Sequence, residues 1–259
     1  MKKSYQTFAI SDIGTSKRVN QDSLIVKHKV ILHKEVLMAI ICDGVGGLSK
    51  GEIASSTVID EFRKWFTKHL KNELRDVDMR VIGSKWELLA KSINSEIREY
   101  SEKINIKMGT TLTGVLFIDD EYIVVHVGDS RLYYIGNELT QLTEDHTIVA
   151  REVKKGILTP EQAEKDKRKH IIFQCIGANH EVAPQIITGK SESGVYLLCS
   201  DGFRNRLSEQ EMISAFQNSN IKEIKQNCKA IIETVKERGE RDNISVIAIR
   251  RNQAELAIS

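Results

Sequence analysis

Several things are scarce in this sequence, and each scarcity removes a class of protein. Only 2 prolines occur among 259 residues, and the 16 glycines follow no period, which excludes a collagen-like or low-complexity chain. The 4 cysteines, Cys42, Cys175, Cys199 and Cys228, form no C-x-x-C pair and mostly sit in apolar runs. A zinc site or a disulfide framework is therefore not expected, and free buried thiols are. No run approaches the ~18 uncharged apolar residues of a membrane span, and no apolar stretch follows Lys2 and Lys3, so a cytoplasmic location is expected. Net charge is scarce too: 38 basic against 36 acidic residues leave +2, which argues for neither nucleic acid nor an anionic membrane as partner. There is no internal repeat and no linker rich in proline, glycine or serine, so one domain spanning 1–259 is expected.

What is present is an ordinary globular composition, 41% hydrophobic and 29% charged, enough for a sizeable core. Val36–Cys42 is a short apolar run that reads as a buried strand ending at Asp43-Gly44. From Glu52 to Leu70 the apolar residues Ile53, Val58, Phe62, Phe66 and Leu70 recur at helical spacing. Trp86, Leu89, Ile93, Ile97 and Tyr100 repeat the pattern, which predicts an antiparallel helix pair. Thr111–Ile118 and Tyr122–Val127 flank Asp119-Asp120-Glu121 as a hairpin would, and Arg131–Ile135 continues the strand pattern. Residues 144–169 are charged and aperiodic and contain Gly156 and Pro160, so they read as a surface flap with short helical pieces. Val195–Cys199 predicts a strand, 208–235 helix, and Ile244–Ile249 a closing strand. Strands in adjacent runs and helices in separate blocks favour antiparallel sheets over alternating parallel ones.

Apolar strands repeatedly abut an aspartate: Cys42-Asp43-Gly44, Val127-Gly128-Asp129-Ser130, Ser200-Asp201-Gly202 and, before the last strand, Asp242-Asn243. Each alone reads as a turn. Together they imply carboxylates converging on one place, where they repel unless a cation lies between them, and hard oxygen ligands favour Mg²⁺ or Mn²⁺.

In order, Asp12-x-Gly14, Asn20-Gln21-Asp22, Asp43-Gly44-Val45-Gly46-Gly47, Gly109-Thr110-Thr111, Val127-Gly128-Asp129-Ser130-Arg131, Leu142-Thr143-Glu144-Asp145-His146, Ser200-Asp201-Gly202 and Asp242-Asn243 resemble the motif series of the PPM family. These are the metal-dependent serine/threonine protein phosphatases of type 2C, and the bacterial branch is the nearer match. The resemblance spans about residues 10 to 250.

That resemblance implies an α+β fold, a four-layer α-β-β-α sandwich of two antiparallel sheets flanked by antiparallel helix pairs, with a flap at about 145–170. It implies Mn²⁺ or Mg²⁺, two ions and a weaker third, and direct attack by a metal-bridging hydroxide without a phosphoenzyme. Asp43 would bridge the two metals, the Gly44 carbonyl would ligate one, and Asp201 and Asp242 would complete the first. Asp22 would support the second through water, since Gln21 stands where many relatives have glutamate. Asp129 would share the third ion with Asp201, and His170 falls near another contributor to it. Phosphorylated proteins would be the substrates, opposing a serine/threonine kinase. Nucleic acid and membrane are not expected as partners, and a monomer is expected.

Two departures stand out. Lys17, with Arg18 beside it, occupies the place of a phosphate-binding arginine, and a lysine offers a point charge where arginine offers a two-pronged donor. Val45 stands where the animal enzymes have a histidine proposed as general acid. No nucleophilic role is expected for Ser130, Ser200 or any cysteine. His126 is read as a packed sheet residue, His146 as ordering the start of the flap, and Lys165–Lys169 as a solvated flap face. The competing readings are a catalytically silent binding module on the same fold and a phosphatase of small phosphoesters.

Overall fold

The computed structural model describes residues 4–46 and 48–252. Among these residues, ten strands build two five-stranded antiparallel sheets. The strands are β1 (Tyr5–Asp12), β2 (Ser23–Ile31), β3 (Lys34–Cys42), β4 (Leu112–Ile118), β5 (Glu121–Val127), β6 (Arg131–Ile135), β7 (Leu139–Gln141), β8 (Gln185–Lys190), β9 (Gly194–Cys199) and β10 (Ile244–Arg251). One sheet runs β1-β10-β9-β6-β7 and the other β2-β3-β4-β5-β8. The helices are α1 (Gly51–Lys68), α2 (Leu70–Glu73), α3 (Met79–Lys103), α4 (Ile148–Lys154), α5 (Pro160–Lys165), α6 (Asp201–Arg204), α7 (Glu209–Phe216) and α8 (Ile221–Glu237).

Strand parity explains the layering. In β3, Val36, Met38, Ile40 and Cys42 face α1 and α3, while Leu37, Ala39 and Ile41 face the opposite sheet. The same split runs through β9 and β10: Val195, Leu197, Cys199, Val246 and Ala248 pack beneath α7 and α8, while Tyr196, Leu198, Ile247 and Ile249 enter the space between the sheets. A strand buried on both faces reads as an unbroken apolar run, and period-two alternation then decides which layer each side chain joins. The α+β sandwich with helices outside two antiparallel sheets is the fold observed.

Local signals set the helix ends. Asp78 caps α3 by accepting from the N–H groups of Arg80 and Val81. Thr159 with Gln162, Ser208 with Glu211, and Asn220 with Glu223 form capping boxes for α5, α7 and α8. The helical stretch expected over 208–235 is thus two helices, because Asn220 restarts the ladder. Trp86 of α3 meets Phe62 and Trp65 of α1 edge-on, at ring centroid distances of 5.0 and 5.4 Å. Tyr100, grouped with this apolar face in the sequence, is instead 47% exposed.

The chain changes sheets at one point that matters. β5 belongs with β4, but β6 pairs with β9 across the sandwich, so Gly128-Asp129-Ser130 is a crossing segment. Arg131–Ile135 continues the strand pattern, as expected, in the other sheet. Gly128 takes φ +111, and a Cβ there would lie 2.6 Å from Thr111 Cγ2, so the crossing needs glycine.

Candidate active site

The interior registers change character at one end of the sandwich. Deep inside they carry Leu37, Ala39, Ile41, Val115, Val124, Leu198 and Ile247. Continued by twos toward that end, the same registers carry Asp43, Thr113, Thr111, His126, Ser200 and Ser245, all but Asp43 almost fully buried. A cluster of polar groups at the end of an apolar sandwich must be bonded or occupied, because buried polar groups without partners are costly.

Most of them are bonded, and those bonds fix Asp43. Thr111 donates its backbone N–H to the Asp43 carbonyl at 2.8 Å and accepts the Asp43 N–H on its hydroxyl at 2.9 Å. The Thr110 hydroxyl also donates to the Asp43 carbonyl, and the hydroxyls of Thr111 and Ser130 meet at 2.8 Å. The Gly-Thr-Thr and Gly-Asp-Ser segments are therefore the mould around Asp43. Ser130 and Ser200 are buried and engaged in such bonds, which gives them structural roles. Gly44 is a close-approach glycine: a Cβ would lie 2.7 Å from Gln21 Cβ and 2.9 Å from the Gly51 carbonyl carbon.

Asp22 is different. It is 8% exposed, and neither of its carboxylate oxygens has a hydrogen-bond partner. The nearby Ser245 hydroxyl bonds Ser11 instead, at 2.7 Å. Burial pushes Asp22 up to about 7, and the charges of Asp201 and Asp242 add to the rise.

Asp201 follows β9 and Asp242 precedes β10, its neighbour in the sheet. Asn243 ties them to the N-terminal loop: its Oδ1 accepts the Gln21 N–H at 2.9 Å, and its Nδ2 donates to the Ile13 carbonyl at 2.8 Å. A Cβ on Gly14 would stand 2.1 Å from the Asp242 carbonyl oxygen, and one on Gly202 would stand 2.2 Å from the Asn243 carbonyl oxygen, so both glycines permit this contact. Lys17 Nζ lies 2.8 Å from Asp242 Oδ1, and Asp242, Asp43 and Asp201 hold it charged in spite of its partial burial. Arg18 is exposed and, among the described residues, makes no ion pair. Gln21 turns toward α1 and donates to Glu52 at 3.1 Å.

The electrostatics join these residues. Burial raises the Asp43 carboxyl well above the usual carboxylate range, followed by the charges of Asp22, Asp201, Asp129 and Asp242 in that order. Asp129 is pushed up to about 7 by burial and by Asp201, with Arg204 pulling the other way. Asp201 is raised by burial, against Arg204, with Asp242 and Glu240 adding to the rise. Five aspartates thus feel one another. Among the described residues no three His, Cys, Asp or Glu side chains already stand as a closed metal cluster. Hard oxygen donors that repel one another, one of them orphaned in the interior, nevertheless fit a divalent cation of the Mg²⁺ or Mn²⁺ kind.

The flap leaves from this end. Asp145 is gripped by Arg131 through two bonds of 2.8 and 2.7 Å, and these hold its carboxyl below the usual range despite burial. His126 is fully buried between the Thr113 hydroxyl and the Glu144 carbonyl, as a packed sheet residue, and burial lowers it to about 3. His146 lies against it, with ring centroids 4.9 Å apart, and takes bonds from Gly128 N–H and Gln174. His170 is half exposed, with Nδ1 4.0 Å from Asp201 Oδ2. In the basic run Lys165–Lys169, Arg168 is spent on Glu152 and Asp166 within the flap. Between the flap and the α6–α7 corner lies a cavity of about 570 Å³, lined by Arg131, Tyr133, Asp145, His170, Arg204 and Met212 among others.

Arg204 and Asn205 were not found by sequence reasoning. Asn205 donates to Asp201 Oδ2 at 3.2 Å and Arg204 to the Asp129 carbonyl at 2.9 Å. Their position one helical turn after Asp201 was the available signal, since i and i+3 or i+4 side chains share a helix face.

Comparison with known proteins defines the class. Residues 14–240 match the family model of protein phosphatase 2C. The protein phosphatase PhpP of Streptococcus pneumoniae is 33% identical over 264 residues, covering 95% of this chain and 97% of that one. The S. agalactiae serine/threonine phosphatase superposes with a TM-score of 0.82 at 30% identity, covering 96% of this chain and 100% of the other. The catalytic domain of the serine threonine protein phosphatase PstP, solved in complex with 2 manganese ions, gives a TM-score of 0.77 at 30% identity over 95% of this chain and 97% of the other. The chain belongs to the protein phosphatase 2C family, the PPM phosphatases, in its bacterial branch. It is a serine/threonine protein phosphatase.

Proposed function

We propose that Asp43, Asp201 and Asp242, with the Gly44 carbonyl and Asp22, hold a pair of divalent cations, Mn²⁺ or Mg²⁺, and that Asp129 and Asp201 share a weaker third. The observation that carries this is Asp22, a buried carboxylate with no hydrogen-bond partner that the charges of Asp201 and Asp242 push up further. Held there, the cations would make a bound water more acidic and offset the charge of the phosphoryl group.

The chain's own residues bind and orient. Lys17, half-buried and held charged beside Asp242, supports a role as the phosphate contact, and Arg18, facing solvent, does not compete for it. Asn243 keeps the Lys17 loop against the strand that follows Asp242. Thr110 and Thr111 fix the Asp43 backbone. Val45 offers no proton, so protonation of a phosphoserine or phosphothreonine leaving group falls to a bound water or another group.

Phosphoproteins made by a serine/threonine kinase are the substrates, and the protein works as a cytoplasmic monomer. The likeness to serine/threonine protein phosphatases supports the phosphoprotein substrates; among the described residues no helix is long and apolar enough to cross a membrane. The test is release of phosphate from a phosphothreonine peptide by purified protein with Mn²⁺, with Mg²⁺ and with chelator. Turnover restored by either metal and abolished by chelator supports the reading, and metal-independent turnover contradicts it.

A further inference from the structure

Arg204 closes α6, the turn that opens with Asp201, and its side chain is only 11% exposed. Nη2 donates to the Asp129 carbonyl at 2.9 Å and stands 3.8 Å from Asp129 Oδ2 and 3.9 Å from Asp145 Oδ2. Nε is buried without a partner. Asp145 is already neutralised by the two-pronged grip of Arg131, at 2.8 and 2.7 Å. The charge of Arg204 therefore falls on Asp129, at the point where the chain crosses between the sheets, and on Asp201, the two carboxylates read as sharing the weaker ion. A buried guanidinium this close to a carboxylate does two things: its N–H fixes the backbone, and its charge repels any second cation approaching the same oxygens.

We propose that Arg204 is a positioning residue for Asp129, anchoring its backbone and, as a resident positive charge, holding down the affinity of its carboxylate for a divalent cation. This rests on the reading of Asp129 as a ligand of the weaker ion. Arg204 bonds the Asp129 carbonyl at 2.9 Å and keeps its charge 3.8 Å from the Asp129 carboxylate. The same residue lines the cavity between flap and helix corner, so the weak ion site and the flap root share one guanidinium.

The experiment is titration of Mn²⁺ alone, with free ion counted by electron paramagnetic resonance, for the intact chain and for Asp129→Asn, Arg204→Met, Arg204→Gln and Arg204→Lys. Thermal unfolding of each variant establishes that it is folded. Asp129→Asn is expected to lose the weakest class of site; if it binds as many ions as the intact chain, Asp129 is no ligand and the proposal falls with that reading. Given that loss, Arg204→Met and Arg204→Gln are expected to tighten the weakest site by about tenfold, the low end for removing a unit charge ~4–6 Å from an ion in a partly screened site. Arg204→Lys keeps the charge and stays within about twofold of the intact chain, where a merely structural role would not separate lysine from methionine in this direction. Unchanged or weakened binding in both neutral variants overturns the proposal, as does failure of both to fold.

Discussion

The backbone N–H of Gln21 donates to Asn243 Oδ1 at 2.9 Å, across 222 residues of sequence, and this bond fastens the loop that carries Lys17 to the strand end that carries Asp242. Asn243 is 3% exposed and spends its Nδ2 on the Ile13 carbonyl as well. Asn243→Ala removes both bonds from partly buried partners, and a loss of about 1–2 kcal/mol is expected. Urea unfolding of the metal-free protein checks it, and a change under ~0.5 kcal/mol would detach the loop from this bond.

Gly14 tests the same junction sterically. With φ +77 and the Asp242 carbonyl oxygen 2.1 Å from a built Cβ, alanine there must move one of the two segments. Gly14→Ala is expected to cost about 3 kcal/mol or more, whereas Gly46→Ala, with nothing within 4 Å of its Cβ, costs under ~1 kcal/mol. Thermal midpoints of the two variants are the measurement.

Lys17 and Arg18 are adjacent in sequence and unlike in place. Lys17→Met removes a charge held against the carboxylates and is expected to lower kcat/KM for a phosphopeptide by about 10–100-fold, the range of a charge-assisted contact. Arg18→Met is expected to stay within about threefold. Steady-state kinetics decide, and equal losses in both would refute the assignment of the phosphate contact to Lys17.

His126 gives a pH dependence of definite sign. Burial lowers it from 6.5 to about 3 in the folded chain. The unfolded chain therefore binds a proton that the folded chain does not between those values, and stability falls as pH drops through 6.5 toward 3. His126→Gln lacks this linkage, so its urea midpoint is expected to change less between pH 7 and about 5 than that of the intact chain. Parallel slopes for the two would contradict the account.

What could be read from the sequence divides along physical lines. The six strands found as apolar runs, β3, β4, β5, β6, β9 and β10, are the inner strands of the two sheets. The four that were not, β1, β2, β7 and β8, are the four edges, half exposed on one face and so without a continuous apolar signal. The carboxylates lay beside strand ends and were conspicuous for that reason. Arg204 was not, because its partner Asp129 is 75 residues away and a basic residue ending a helical turn looks like surface. The polar mouth was latent in the alternation: extending the interior registers from Ile41, Leu198 and Ile247 by two residues arrives at Asp43, Ser200 and Ser245.

The central claim is that the aspartates at this mouth hold the metal on which turnover depends. Mn²⁺ stoichiometry and hydrolysis of para-nitrophenyl phosphate, measured together on the intact chain, Asp43→Asn and Asp201→Asn, test it most directly. The account predicts that each variant folds, binds fewer ions than the intact chain and loses at least about 100-fold in kcat. Full ion binding together with undiminished turnover in Asp43→Asn would contradict it.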